Sequence, residues 1–341
     1  MIFKSERLGR CLQLLMTHHI YIFTYPFVLA PRFMLSSDIV GRYRKLHSFD
    51  RQRRLELFCN EQRRQAMVYE KKIEKVFWTI EDETENDPVK VLMNRNISTF
   101  RDCMKHISRL KADRMALAYT NGSYKSVLER LSSNGKMTPL DYNCQNKHHA
   151  DAAYWRTCAF LLGAVIDEAF AVNVQLVGPS KIIQEDLNIL QGLKNYTTGH
   201  QTRQENLFAM TERAVEKYIA KTLTIEPLLV SLEFALDLFD SNICKQELIH
   251  EIKHETGNNE QGIIIYRMDD FVDIAYGPLI PNTSHIDKFA LTKVEHENSE
   301  YRFIGVSIPK ALKCSSYSWD LICNASVMSD VKEQKLLESS P

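Results

Sequence analysis

No two of the eight cysteines are spaced C-x-x-C, and the 341 residues contain no G-x-x-x-x-G-K-[ST], G-x-G-x-x-G or G-x-S-x-G. A chain this long does not need covalent staples, so the cysteines read as free thiols of a reducing compartment. The missing glycine motifs leave phosphate-loop and esterase readings without a foothold. A transmembrane helix needs about 20 mostly apolar residues. The longest uncharged run, Cys11 to Pro31, is broken by Gln13, Thr17, His18, His19, Thr24 and Pro26. There is no internal repeat, and the formal net charge is zero.

That neutrality hides an asymmetry. Residues 1–75 carry 15 Lys and Arg against 7 Asp and Glu, which leaves a mildly acidic remainder. Such a basic lead suits RNA or another acidic partner, or else it is a solvated helix face. Residues 1–40 are acid-poor with scattered Arg, and are read as a mitochondrial presequence against a secretory signal or anchor and against neither. Residues 41–80 follow as a basic helical arm. From Ser48 to Val76 apolar residues fall at a spacing of three to four, with Leu55, Phe58, Ala66, Tyr69, Ile73 and Val76 as the stripe. So narrow a stripe needs a partner to lie on. The contact candidates are Arg42, Arg44, Lys45, Arg51, Arg53, Arg54, Arg63 and Arg64. The acidic stretch 81–88 is expected to be a linker and the first domain boundary.

Residues 88–145 read as a small α+β unit. A strand is expected at 89–93, a helix from Phe100 to Leu110 with Thr99 and Asp102 as a capping box, and a second strand ending at the hairpin signal Asn121-Gly122. Residues 150–328 form a larger unit that opens on the most apolar helix, 152–171. Its later landmark is the pair of β-rich runs Ile263–Met268 and Phe271–Tyr276, closed by Gly277-Pro278. The fold of residues 178–225 stays open apart from an amphipathic helix expected over 203–223, a Trp319-bearing helix falls near 316–328, and the tail 329–341 reads as disordered.

One motif looks catalytic. His250-Glu251-Ile252-Lys253-His254 matches H-E-x-x-H, which on a helix puts two imidazoles on one face with a glutamate as base. The third position of the extended zinc-protease pattern holds Glu260, and Gly257-Asn258-Asn259 ends the helix a turn later. A charged surface helix is the better reading. His148-His149 has no cysteine partner at ligand spacing, so no metal and no cofactor is assigned.

The segments VLMNRNISTF and MALAYTNGSY resemble the ubiquitin-like TGS domain of threonyl-tRNA synthetases. AYWRTCAFLLGAVIDEAF resembles the first helix of their editing domain, and YRMDDFVDIAYGPLIP its catalytic hairpin. With YRFIGVSIP following, the order is similar to that of synthetase-derived proteins of the mitochondrial large ribosomal subunit that lack the aminoacylation core. The resemblance spans 50–328. It implies an α+β chain with a TGS-like domain followed by a degenerate editing-like domain, and a structural role beside other subunit proteins and ribosomal RNA in the mitochondrial matrix. Editing enzymes place two His four apart on the helix, and a Cys and a His four apart at the hairpin. Those positions match Arg156, Phe160, Ala275 and Leu279 here. No imidazole or thiol is left to orient water or carry a proton. The alternatives are a freestanding aminoacyl-tRNA deacylase and, more remotely, a zinc metalloprotease.

Overall fold

The computed structural model describes residues 22–29, 37–82, 87–144, 146–169, 174–176, 213–255, 262–297 and 300–337. Side chains are described within 49–82, 87–144, 146–168, 213–255, 262–294 and 303–326. The elements, in chain order, are β1 (Ile22–Leu29), α1 (Ser37–Lys71), β2 (Lys75–Ile80), β3 (Val89–Asn94), α2 (Phe100–Lys105), α3 (Arg109–Arg114), β4 (Leu117–Thr120), β5 (Ser123–Ser126) and β6 (Gly135–Leu140). They continue with α4 (Lys147–Ala169), β7 (Val174–Leu176), a helix α5 across 213–220, β8 (Ile225–Val230), α6 (Leu232–Leu238) and α7 (Ile243–Glu255). The last are β9 (Ile263–Met268), β10 (Phe271–Ile274), β11 (Ile286–Glu297), β12 (Glu300–Pro309) and α8 (Ser316–Leu337). Among the described residues the fold mixes helices with three sheets.

The five-stranded sheet runs β3-β2-β6-β4-β5, with β2 and β6 parallel and the other pairs antiparallel. Alternation along β2 sends Val76, Trp78 and Ile80 into a core with Val91, Met93, Phe100, Cys103 and Met104. Trp78 meets Phe100 edge-on, with ring centroids 5.2 Å apart. At the β4–β5 hairpin, Asn121 and Gly122 take φ of 49° and 77°, the left-handed pair that an Asn-Gly turn supplies without steric cost. The capping box forms at α2: Thr99 accepts from the Asp102 amide and Asp102 from the Thr99 amide. The helix expected to reach Leu110 stops at Lys105 instead. Ser108 then caps a new helix by accepting the Lys111 amide, so its hydroxyl starts one turn where another ends.

β2 corrects the expected boundary of the arm. Residues 75–80, read as its end, are a sheet strand, because Val76 belongs to a period-two run and Ile73 is exposed. The acidic stretch after β2 is therefore a connection within the sheet rather than a domain boundary, since β2 pairs with β3 across it. α1 itself covers the three-stranded antiparallel sheet β10-β9-β8. Phe58, fully buried, shares a core with Leu228, Val230, Phe239, Ile249, Ile263, Ile265 and Val272. The partner that the narrow stripe demanded is the chain's own body. The opposite face of this sheet, with Tyr266, Met268 and Phe271, packs on α4.

α4 is buried almost throughout and also meets Leu291 and Phe303 of the third sheet, ordered β11-β12-β1-β7. β1 lies within 1–40, where no folding role was expected, and pairs with β12 from Ile22↔Val306 to Val28↔Glu300. Its one β-rich octet was read only as part of an apolar presequence. α8 likewise runs to Leu337, past residue 328 where a disordered tail was expected. The sequence-expected helix over 203–223 is seen at 213–220, and its earlier part lies outside the described residues.

Truncating Phe58 to Ala is expected to lower unfolding free energy by about 3–5 kcal/mol, the usual cost for a buried Phe. Urea denaturation of the full chain measures it. A change near zero would mean that α1 is not seated on the sheet.

Candidate functional site

The four positions matched to an editing quartet converge where the middle of α4 meets the segment leaving β10. Phe160, Ala275 and Leu279 are buried in one cluster, with Leu279 fully inaccessible. Phe160 lies edge-on to Phe271 at 5.1 Å and to Tyr266 at 6.3 Å between ring centroids. Apolar bulk occupies the junction.

Arg156 points the other way in role. Its Nε and Nη2 donate to the Pro278 carbonyl at 3.1 and 3.0 Å, a two-pronged grip on the backbone. Glycine suits position 277: its φ of 154° is one that other residues rarely adopt, and a Cβ there would crowd the Arg156 guanidinium at 3.3 Å. Tyr266 Oη donates to the Gly277 carbonyl at 3.3 Å. One residue along the helix, Thr157 Oγ1 donates to the Ala153 carbonyl at 2.8 Å and accepts the Ile280 amide at 3.0 Å. The segment 277–280 is thus fastened to α4 through its backbone, whatever its side chains.

The chemistry left at the junction is inert. Burial lowers the Arg156 pKa to about 10, with Tyr266 opposing the shift, so the guanidinium stays charged at neutral pH and cannot act as a base. Cys158, between the two helix positions, is fully buried, and burial pushes its thiol up to about 12. A thiol in that state is no nucleophile.

Sequence reasoning missed the buried charges behind this junction. Lys245 of α7 and Asp273 of β10, at 2% and 3% side-chain exposure, pair with Nζ–O distances of 2.7 and 2.8 Å. Burial lowers the Lys245 pKa, and Asp273 opposes that shift. Asp167, buried on α4, receives Arg51 at 3.3 Å and has Arg54 at 3.9 Å. Arg51 also grips Asp270 at 2.7 Å; burial would lower its pKa, but the pairing with Asp270 and Asp167 outweighs this and raises it. Arg53 binds Asp240 at 3.0 Å and the Asp237 carbonyl. The only sequence signal was a charged residue on an otherwise apolar face.

These pairs correct the reading of the arm as a row of cations turned to a partner. Arg51, Arg53 and Arg54 are engaged inside the chain, because α1 lies on an acidic part of the body. Arg63 bonds Asn60, and Arg64, two-thirds exposed, bonds Glu61 one turn away. Arg42, Arg44 and Lys45 sit on the helix backbone, with side chains outside those described.

His250, Glu251 and His254 are exposed on α7, and Tyr276 Oη donates to Glu251 at 2.7 Å. Glu260, the counterpart of a third ligand, and Gly257-Asn258-Asn259 lie outside the described residues. Among the described residues no three His, Cys, Asp or Glu side chains are grouped to hold a metal. His148 and His149 belong to the first turn of α4, with His149 stacked on Tyr124 at 3.7 Å between ring centroids. No helix of the described residues is long and apolar enough to cross a membrane.

A different histidine joins the two units. His285 is buried, with Nδ1 3.2 Å from Tyr142 Oη. Burial lowers its pKa to about 4, opposed by a hydrogen bond to the Asp113 backbone. A cleft of about 520 Å³ opens beside it, lined by Arg114, Asp141 and Lys310 among others.

No family model matches the chain. It is 29% identical over 282 residues to the large ribosomal subunit protein mL39 of Drosophila melanogaster, covering 79% of this chain and 82% of that protein. It is 24% identical over 237 residues to a probable cytoplasmic threonine–tRNA ligase of Dictyostelium discoideum, covering 65% of this chain and 30% of the ligase. Against the threonine–tRNA ligase of Thermotoga maritima the identity is 30% over 164 residues, 46% of this chain and 24% of the enzyme. The chain therefore spans about a quarter to a third of the two ligases and most of the ribosomal protein.

Two measurements probe the junction. Phe160→Ala or Leu279→Ala should each cost about 2–5 kcal/mol in chemical denaturation. Restoring His at both positions should give no aminoacyl-tRNA hydrolysis above buffer. For His285, a folded pKa of about 4 against an ordinary 6.5 means that the unfolded chain binds more protons between those values. The stability contribution is whole above pH 6.5 and is lost as pH falls toward 4, by about 3 kcal/mol. The difference between the native chain and His285→Gln, followed by denaturation across that range, isolates this loss from other titrations such as Asp151, which burial raises to about 6. A pH-independent difference would contradict a buried neutral imidazole.

Proposed function

We propose that the chain is a structural, non-catalytic constituent of the mitochondrial large ribosomal subunit. The observation that carries this reading is the similarity to a large ribosomal subunit protein along about four fifths of both chains. The filled junction supports it: the positions at which an editing enzyme would activate water hold Arg156, Phe160, Ala275 and Leu279, with the arginine committed to a backbone carbonyl.

Residues 88–145, extended by β2, are a TGS-like domain in this reading. The strand order β3-β2-β6-β4-β5 with its central parallel pair is that of a ubiquitin-like sheet, which supports it. Residues 150–328 are a degenerate editing-like domain to which α1 is docked. Contacts with ribosomal RNA fall to Arg42, Arg44, Lys45, Arg63 and Arg64, as salt-sensitive phosphate pairs without sequence reading. A mitochondrial leader is confined to the residues before β1, because removing residues past about 30 would take a strand out of the β11–β12 sheet.

Epitope-tagged full chain in mitochondrial lysate should sediment with the large subunit on a density gradient. The purified chain should leave aminoacyl-tRNA at the uncatalysed rate of loss. Recovery at the top of the gradient as free protein, with deacylation above background, would replace this reading with a freestanding deacylase.

A further inference from the structure

β3 is the margin of the five-stranded sheet. It pairs with β2 without a bulge from Lys75↔Asn94 to Ile80↔Val89, and no strand lies on its other side among the described residues. Soluble proteins guard such edges with short strands, bulges, prolines or several charges, because the open row of N–H and C=O groups recruits another strand. β3 has six residues, no internal proline and one charge, Lys90.

The face next to this edge is also open. Lys90 and Leu92 alternate with the buried Val91 and Met93, and Leu92 stands directly opposite Phe77. This pair is exposed by 51% and 63%, unusual for a Leu and a Phe adjacent on a strand pair. On the same face the β4–β6 end of the sheet is roofed by the chain itself, where Leu117 and Leu140 join Tyr142 in the core around α4. The covering stops short of β2 and β3. Of the lysines nearby, Lys75 bonds Asn94 and Lys136 pairs with Glu81, so Lys90 is the cation that an added strand would meet.

We propose that β3 and the Phe77–Leu92 pair dock an extended segment of a neighbouring protein in the assembly, added as a sixth strand. The segment would carry apolar side chains beside Leu92 and Phe77 and a carboxylate opposite Lys90. Backbone hydrogen bonds along β3 supply the affinity, and the alternate side chains supply the selectivity. RNA fits less well. What β3 leaves open is a row of backbone N–H and C=O groups with one cation, Lys90, which suits another strand better than a phosphate backbone. The exposed Phe77 ring makes a cross-linked nucleotide the outcome to test against. The inference rests on the chain being a subunit protein.

The test compares amide hydrogen exchange of 89–94 in the purified large subunit and in the isolated full chain, together with cross-linking from a photo-reactive side chain at position 92. Strand addition predicts exchange slowed at least roughly tenfold in the subunit, the footprint of a newly bonded edge. It also predicts a cross-linked peptide from another protein, and support requires both. The variant Phe77→Ser with Leu92→Asp should reduce the subunit-bound fraction roughly tenfold, as loss of central interface anchors does, while Leu110→Asp on α3 leaves it unchanged. Both variants should keep the native circular dichroism, since all three side chains are exposed. Slow exchange already present in the isolated chain, or a cross-link within it, would overturn the proposal in favour of self-coverage. A cross-linked nucleotide would overturn it in favour of RNA. Co-sedimentation with unprotected β3 would reject strand addition alone, whereas no co-sedimentation would reject the subunit role itself.

Discussion

The grip of α4 on the segment after β10 is the contact from which the larger unit is organised. Arg156 and Thr157, neighbours in sequence, bind the Pro278 carbonyl and the Ile280 amide. Both targets are backbone groups, so the segment is held independently of the side chains it presents. With the backbone fixed, Leu279 turns into the cluster that holds Phe160 and Ala275. A cleft able to admit a substrate needs polar groups that converge on open space. Here the polar groups are spent on the chain itself, and the apolar ones fill what remains.

The same economy governs the charges. α1 is rich in arginine, yet Arg51, Arg53 and Arg54 meet carboxylates and a carbonyl of the body. Replacing Arg51 would remove one of the cations that meet the buried Asp167, and a buried charge that loses a partner costs far more than an exposed ion pair is worth. Lys245 and Asp273 form a second such pair under the three-stranded sheet. Arg51, Arg53 and Arg54 seat a long helix in one register on the body, which an apolar stripe with Phe58 at its centre could not specify alone.

Local features were legible in the sequence because their causes are local. The Asn121-Gly122 turn, the Thr99–Asp102 box and the β9–β10 hairpin each depend on residues within a few positions of one another. The four positions of the junction could be picked out only through resemblance to a family whose quartet could be matched. Period counting failed at Val76, which fits a helical stripe and a strand equally until Trp78 and Ile80 are counted with it. It failed wherever partners are distant: Arg51 and Asp167 are 116 residues apart, and no pattern in either neighbourhood names the other. β1 was missed for the same reason, since its pairing partner β12 lies at the far end of the chain.

Whether the junction is a closed scaffold or a cleft that opens can be read from the exchange rate of the Ile280 amide in the full chain. Held by Thr157 in a filled core, that proton should exchange only through global unfolding, with the same denaturant dependence as the amides in the middle of α4. Exchange through a smaller opening, insensitive to denaturant and orders of magnitude faster than in α4, would show that the segment lifts from the helix and that the cleft remains accessible.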